Sequence, residues 1–390
     1  MLKFDFSERL KKLPPYLFVE IDKAKRQAMA EGRDVIDLGI GDPDLPTPQF
    51  IIDALNQAAQ DGSNHHYALD AGLPQLRQAI SDWYQSRFKV SLNPDNEILP
   101  LIGSKEGIAH LPLGIINPGD RVLVPDPAYP PYRSGTLFAG GKIEVMPLLF
   151  KNNFLVDLQK LSAKTNDKKT KLMFVNYPNN PTAAVAGKEF LQQLVNFARD
   201  KGVMIASDAA YSEIYFDQQK PVSILEIEGA KEVAVEFHSL SKTFNMTGWR
   251  IGWVCGNAQI VSAVAQVKTN IDSGIFQAIQ LAGIAALQSD GSHPEEMRRI
   301  YQQRRDFLIN GLRGVGWKIV PPQATFYVWA KIPRQFKDSL ETTKIFLEQV
   351  NIVVTPGAGF GKFGEGFVRM ALTVSKERLI EAVERLKKVL

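Results

Sequence analysis

The strongest constraint on this chain is an alternation of segment types. Short apolar runs occur at 97–102 (EILPLI), 121–125 (RVLVP), 171–175 (KLMFV), 203–207 (VMIAS) and 232–237 (EVAVEF), bounded by polar or Gly/Pro turns. Helix-like stretches separate several of them. The segment 73–89, LPQLRQAISDWYQSRFK, carries apolar residues three and four apart and predicts an amphipathic helix. Strands this short and this apolar are buried on both faces, which happens when helices cover a mostly parallel sheet. The fold class is therefore α/β. Past about residue 257 the pattern changes. Helix-like stretches at 257–272 and 275–288 lead into a charged one, HPEEMRRIYQQRRDFLINGLRG. Then follow WKIV, TFYVWA, a helix near 340–350, NIVVT, GFVRMAL and a final helix, KERLIEAVERLKKVL. Helices with a few strands predict a second, smaller α/β domain. The first 45 or so residues read as an arm with one helix at 17–31.

Composition excludes several functions. The 46 basic and 42 acidic residues leave a net charge of +4 over 390 residues, which gives no reason to invoke nucleic acid or an anionic membrane. Cys255 is the sole cysteine, so no internal disulfide forms and a reducing compartment suits the chain. There is no apolar run of about 18 residues, and MLKFDFSERLKKLPP lacks the apolar centre of a signal peptide. A cytoplasmic protein without a membrane span is expected. The five histidines, at 65, 66, 110, 238 and 293, show no zinc-type spacing, so no metal is expected.

Two short motifs invite a reading and do not sustain it. Gly359, Gly361 and Gly364 spell G-x-G-x-x-G, but near the C-terminus and running into another strand-like segment. A dinucleotide fingerprint follows a first strand and opens a helix, so a turn is the better reading. Ser239-Leu-Ser-Lys242 matches the acylating S-x-x-K motif, but its S-D-N and K-T-G companions are missing.

Lys242 has another reading. It follows a buried run, at the carboxyl edge of the sheet where ligands bind in open α/β folds. Ser239 and Ser241 precede it and Arg250 follows eight residues on. Hydroxyls with a guanidinium make a phosphate site. A lysine beside a phosphate pocket is what pyridoxal phosphate requires, since its aldehyde needs an amine and its phosphate an anchor. The ring nitrogen then needs a carboxylate, and Asp208 ends the run VMIAS at the same edge. Tyr211, and Asn180 in YPNNPT, can reach the ring's 3-oxygen. Gly103-Ser104-Lys105 opens a helix, where backbone N–H groups suit phosphate oxygens. Tyr129 in DPAYPPY can stack on the ring.

In this order, LGIGDPDLPTP, HHYALDAGLPQLR, GSKEG, DPAYPPY, NYPNNPT, SDAAYSEI, SLSKTFNMTGWRIGW and FVRMAL resemble the fold-type I pyridoxal-phosphate aminotransferases of class I/II, over essentially the whole chain. The resemblance implies a large domain at 46–285 built on a mostly parallel seven-stranded sheet. It also implies a small domain at 286–390 and an arm at 1–45 that contributes to it. Lys242 would bond the cofactor, Asp208 would hold the ring nitrogen, and Asn180 and Tyr211 the 3-oxygen. Ser239, Ser241, Arg250 and the 103–105 turn would hold the phosphate, joined by Tyr67 from a partner subunit. Arg369 would grip the substrate α-carboxylate, helped by the loop of Gly41. One departure is Ala183, where the family commonly writes glycine after NPT.

PPYLFVEI, Asp70 in YALDAGLP, LIGSKEGIAH, GWRIGW and NIDSGIFQAIQ are similar to the bacterial LL-diaminopimelate aminotransferases. That resemblance implies lysine biosynthesis, with Tyr16, Asp70 and Lys105 reading a long substrate in a homodimer. Aspartate-, alanine- or aromatic-type transamination and carbon–sulfur lysis are the alternative readings.

Overall fold

The computed structural model describes residues 5–13, 17–68, 70–162, 165 and 168–390. Its strands, in chain order, are β1 (Ile36–Asp37), β2 (Ile98–Leu101), β3 (Arg121–Asp126), β4 (Lys142–Pro147), β5 (Thr170–Asn176), β6 (Met204–Asp208), β7 (Ala234–Ser239), β8 (Gly252–Gly256), β9 (Tyr327–Lys331), β10 (Ile352–Val353), β11 (Thr355–Pro356) and β12 (Phe367–Ala371). Seven of them form one sheet in the order β2-β8-β7-β6-β5-β3-β4. All its pairings are parallel except those of β8, which runs against both β7 and β2.

Helices cover both faces, which is why the central strands are mostly apolar. One face packs Leu172, Phe174, Ala206, Val235 and Phe237 against Ile108 and Leu111 of the helix Ser104–Ile115 and Val264 of the helix Ala258–Ile271. The other packs Met173, Val175 and Ile205 with Leu76 and Ile80 of the helix Pro74–Phe88 and Leu194 of the helix Lys188–Lys201. Local signals place these helices. Pro74 opens one with its pre-set backbone angle, Asn257 caps another by accepting from the N–H groups of Gln259 and Ile260, and Gly202 closes a third in the left-handed conformation.

A second core gathers Ile36 and Leu38 from the N-terminal part with Tyr301, Leu308, Phe346, Met370 and Leu379. Its three-stranded sheet has the order β11-β12-β9, all antiparallel, while β1 pairs with β10 in parallel. Both chain ends thus contribute to one packed unit.

The structure corrects the sequence reading in places. The run expected at 232–237 begins as a helical turn, Ala230–Val233, and its strand continues through His238 and Ser239. Buried hydrogen bonds explain why a strand tolerates them: His238 Nε2 lies 3.0 Å from Glu236 Oε1, and Ser239 Oγ accepts from the Ser241 N–H at 3.2 Å. WKIV at 317–320 is not a strand. Trp317 and Ile319 are buried, but no strand among the described residues pairs with the segment, and Pro321 and Pro322 follow it. Two strands of the large sheet lacked a signal: β4 alternates charged and apolar residues at the edge, and β8 is bounded by glycines at both ends.

Candidate active site

The carboxyl ends of β2, β3, β5, β6 and β7 meet at one sheet edge, and a cavity of about 260 Å³ opens there. Gly41, Ser104, Lys105, Tyr129, Asn180, Asp208, Tyr211, Ser239, Ser241, Lys242, Arg250 and Arg369 line it, as the sequence anticipates. So do Asn176, Thr247, Tyr327 and Phe360, which it does not single out.

One end of the cavity is cationic and rich in hydroxyls. Gly103 caps the helix Ser104–Ile115 with φ 76° and ψ 152°, a conformation open only to glycine. A Cβ there would lie 2.3 Å from Arg250 Nη2, so glycine also makes room for the guanidinium at the helix start. Arg250 Nη1 donates to the Thr247 carbonyl at 2.9 Å, which braces it. Ser239 Oγ accepts from the Ser241 N–H at 3.2 Å, turning the chain straight from β7 into the short helix that carries Lys242. Behind this end, Glu106 accepts from the Ile102 N–H at 2.6 Å and from the buried Lys268 at 3.2 Å, fixing the turn before Gly103. Glu106, His110 and Asp272 also lie close enough together to suggest a cation site, but the Lys268 ammonium already bonds both carboxylates.

The opposite end holds a buried carboxylate. Asp208 Oδ2 accepts from Tyr132 Oη at 2.7 Å and Oδ1 from the Ala210 N–H at 3.2 Å. Burial pushes its carboxyl upward, and the Tyr132 and Ala210 hydrogen bonds pull it back. Tyr132 is itself fully buried, stacked on Phe174 with ring centroids 5.1 Å apart. In the same cavity, Lys242 Nζ donates to the Gly41 carbonyl at 3.2 Å. Its amine is pushed down to about 8, by burial first and then by Arg250 and Arg369, with Asp42 opposing.

Arg369 stands on β12 across the cavity mouth. Nη1 donates to Asn180 Oδ1 and Nη2 to the Gly39 carbonyl, both at 2.8 Å. Its guanidinium lies 4.1 Å from the centre of the Tyr327 ring and 4.8 Å from that of Phe360. Phe360 belongs to the glycine-rich segment 357–364, which folds as two 3₁₀ turns; Asp126 at the end of β3 accepts from the N–H groups of Lys362 and Phe363 at 3.1 and 2.8 Å. The glycines serve close packing: a Cβ on Gly361 would lie 2.2 Å from Asp126 Oδ1.

A family model described as aminotransferase class I and II matches residues 33–386. The chain belongs to that family. As a class I and II aminotransferase it uses pyridoxal phosphate, and the cavity fits that group. The hydroxyl and guanidinium end suits a phosphate dianion, the carboxylate end suits a protonated ring nitrogen, and an amine of lowered basicity lines the same cavity. Curated LL-diaminopimelate aminotransferases are similar over nearly all of both chains. That of Moorella thermoacetica is 51% identical over 384 residues, 98% of each chain. That of Syntrophobacter fumaroxidans is 52% identical over 388 residues, all of both. Among solved structures, substrate-bound BacF from Bacillus subtilis superposes with a TM-score of 0.95 at 40% identity, covering 99% of this aminotransferase and 98% of that chain. A Thermus thermophilus aspartate aminotransferase double mutant gives 0.93 at 30%, covering all of both.

Two expected residues lie elsewhere. Tyr67 is 94% exposed and Asp70 is half-buried, and neither lines the cavity; Tyr16 falls outside the described residues. Ala183 itself adopts the left-handed backbone, φ 59°, that the missing glycine would have supplied, and its N–H still donates to the Asn179 carbonyl at 2.9 Å.

Proposed function

We propose that this protein is an LL-diaminopimelate aminotransferase of lysine biosynthesis, passing an amino group from glutamate to tetrahydrodipicolinate. The observation that carries the reading is identity of 51–52% along the whole chain with aminotransferases of that name, joined to a cavity with the required donor set.

Pyridoxal phosphate, when bound, supplies an electron sink for the charge left on the substrate's Cα. Ser104, Ser239, Ser241 and Arg250 hold its phosphate, with the 103–105 turn. Asp208 keeps the ring nitrogen protonated, Tyr129 covers a ring face, and Tyr211 donates to the 3-oxygen. Because Asn180 Oδ1 is taken by Arg369, the Nδ2 of Asn180 is left to donate to that same oxygen. Arg369 and the Gly41 loop grip the α-carboxylate and so orient the Cα–H bond. Lys242 Nζ removes the Cα proton and redelivers it. A basicity of about 8 leaves a useful fraction of neutral amine near neutral pH.

Specificity comes from the far end of the substrate, which carries an ammonium and a carboxylate. Lys105 pairs with the carboxylate and Asp70 with the ammonium, and Tyr16 helps recognise the long substrate. Asp70, Tyr16 and Tyr67 serve the neighbouring site of a homodimer; the exposure of Tyr67 in the single chain supports this arrangement. The arm (1–45), large domain (46–285) and small domain (286–390) are the working division, and the cytoplasm is the working compartment. Turnover of LL-diaminopimelate with 2-oxoglutarate to glutamate and tetrahydrodipicolinate tests the reading. No such turnover alongside brisk aspartate or alanine transamination would replace it with another specificity, and pyruvate release from cystathionine with a lyase.

A further inference from the structure

We infer that Tyr327 is a positioning residue that joins the cofactor's 3-oxygen contact to the substrate's carboxylate contact, through two separable parts of one side chain. This rests on the functional reading above.

Tyr327 opens β9 and is 3% exposed. Its Oη lies 3.2 Å from Tyr211 Oη. The same hydroxyl fills the space beside Gly41, where a Cβ would come within 1.9 Å of it. Gly41 in turn accepts from Lys242. The ring face carries Arg369, whose Cζ is 4.1 Å from the centroid. Strand pairing produces this contact: Arg369 is directly opposite Trp329, so Tyr327, two residues away on the same face, is its diagonal neighbour.

The two contacts act differently. Tyr211 has one hydroxyl hydrogen, and once it is donated to the 3-oxygen, its own oxygen accepts from Tyr327. A phenol that accepts a hydrogen bond donates a stronger one. The Tyr327 hydroxyl therefore makes the 3-oxygen less basic, which sets the pH at which the holoprotein changes colour. The ring acts on Arg369 alone, holding the guanidinium by cation–π attraction in the orientation that meets a carboxylate.

Tyr327→Phe and Tyr327→Leu separate these parts in the holoprotein. The measurements are the pH midpoint of the visible absorption band and the dissociation constant of glutarate, a dicarboxylate with no amino group to react. In Tyr327→Phe the midpoint rises by about half a pH unit or more, the worth of one hydrogen bond, while glutarate affinity stays within about twofold. In Tyr327→Leu the midpoint rises equally and glutarate binds about fivefold to thirtyfold more weakly. An unmoved midpoint in Tyr327→Phe, or unchanged glutarate affinity in a Tyr327→Leu protein that still binds cofactor, overturns the inference. If Tyr327→Leu does not fold, the Phe variant alone decides: an unmoved midpoint overturns the inference and a raised one supports it. A wild-type protein with no visible band would instead overturn the functional reading.

Discussion

Replacing Lys242 by methionine should stabilise the cofactor-free protein near neutral pH. The substitution keeps an unbranched side chain one atom shorter and removes the charge. An ordinary lysine titrates near 10.5, and Lys242 does so at about 8 because burial, Arg250 and Arg369 all disfavour its ammonium. That difference corresponds to about 3 kcal/mol against the charged form. The side chain is half-buried and its ammonium faces the cavity, so the measured gain should fall between about 1 and 3 kcal/mol. The pH dependence gives the sharper test. Between about 8 and 10.5 the unfolded lysine holds a proton that the folded one has lost. Wild-type stability therefore rises with pH across that window relative to the variant. Below about pH 8 both forms are protonated and the gap is widest; above 10.5 both are neutral and it closes. Equilibrium urea unfolding of the two proteins, stripped of cofactor, at several pH values measures the gap directly. Every other titrating group is shared, so the difference isolates Lys242. A gap independent of pH, or a wild type more stable than the variant at pH 7, would refute the argument.

Two substitutions at positive φ should move in opposite directions. Gly103→Ala forces a side chain into a glycine-only conformation and against Arg250; pyridoxal phosphate affinity, read by absorbance titration, should fall at least tenfold, for a backbone cost of about 1–3 kcal/mol. Affinity for pyridoxal, which has no phosphate, should fall much less. Ala183→Gly relieves a left-handed alanine and also gives the unfolded chain more entropy to lose on folding, so urea unfolding should show stability held or raised by up to about 1 kcal/mol. A loss of that size would mean the alanine is unstrained.

The parts of the site that could be read from the sequence share one property: each lies at the end of a buried run. Asp208, Lys242 and the Gly103 turn all follow strands whose apolar character is local and strong. Tyr327 and Tyr132 are equally close to the chemistry and gave no such signal. In TFYVWA an aromatic residue is what any buried strand prefers, and its partner Tyr211 is 116 positions away. Tyr132 lies in DPAYPPY, where the sequence points only to Tyr129, and the helix Pro131–Phe138 brings it to Asp208. The end of β7 gave no strand signal for the same reason, since His238 and Glu236 satisfy each other only once the surrounding segments have folded.

The reversed strand β8 divides the labour of the site. Ser239 pairs with Gly252 across the β7–β8 ladder, so the connection carrying Lys242 and Arg250 is clamped at both ends by the same two strands. Amine and guanidinium therefore form a caliper of fixed opening, set by one hairpin and insensitive to how the rest of the molecule breathes. Arg369 rides on a different sheet, among residues of a different core, and reaches the edge of the large sheet through Asn180 in the loop after β5. A shift between the two cores would alter the reach toward a substrate's carboxylate and leave the phosphate end, built on this hairpin and the Gly103 turn, as it was. Tight retention of one small molecule and adjustable capture of another can thus coexist in a single cavity.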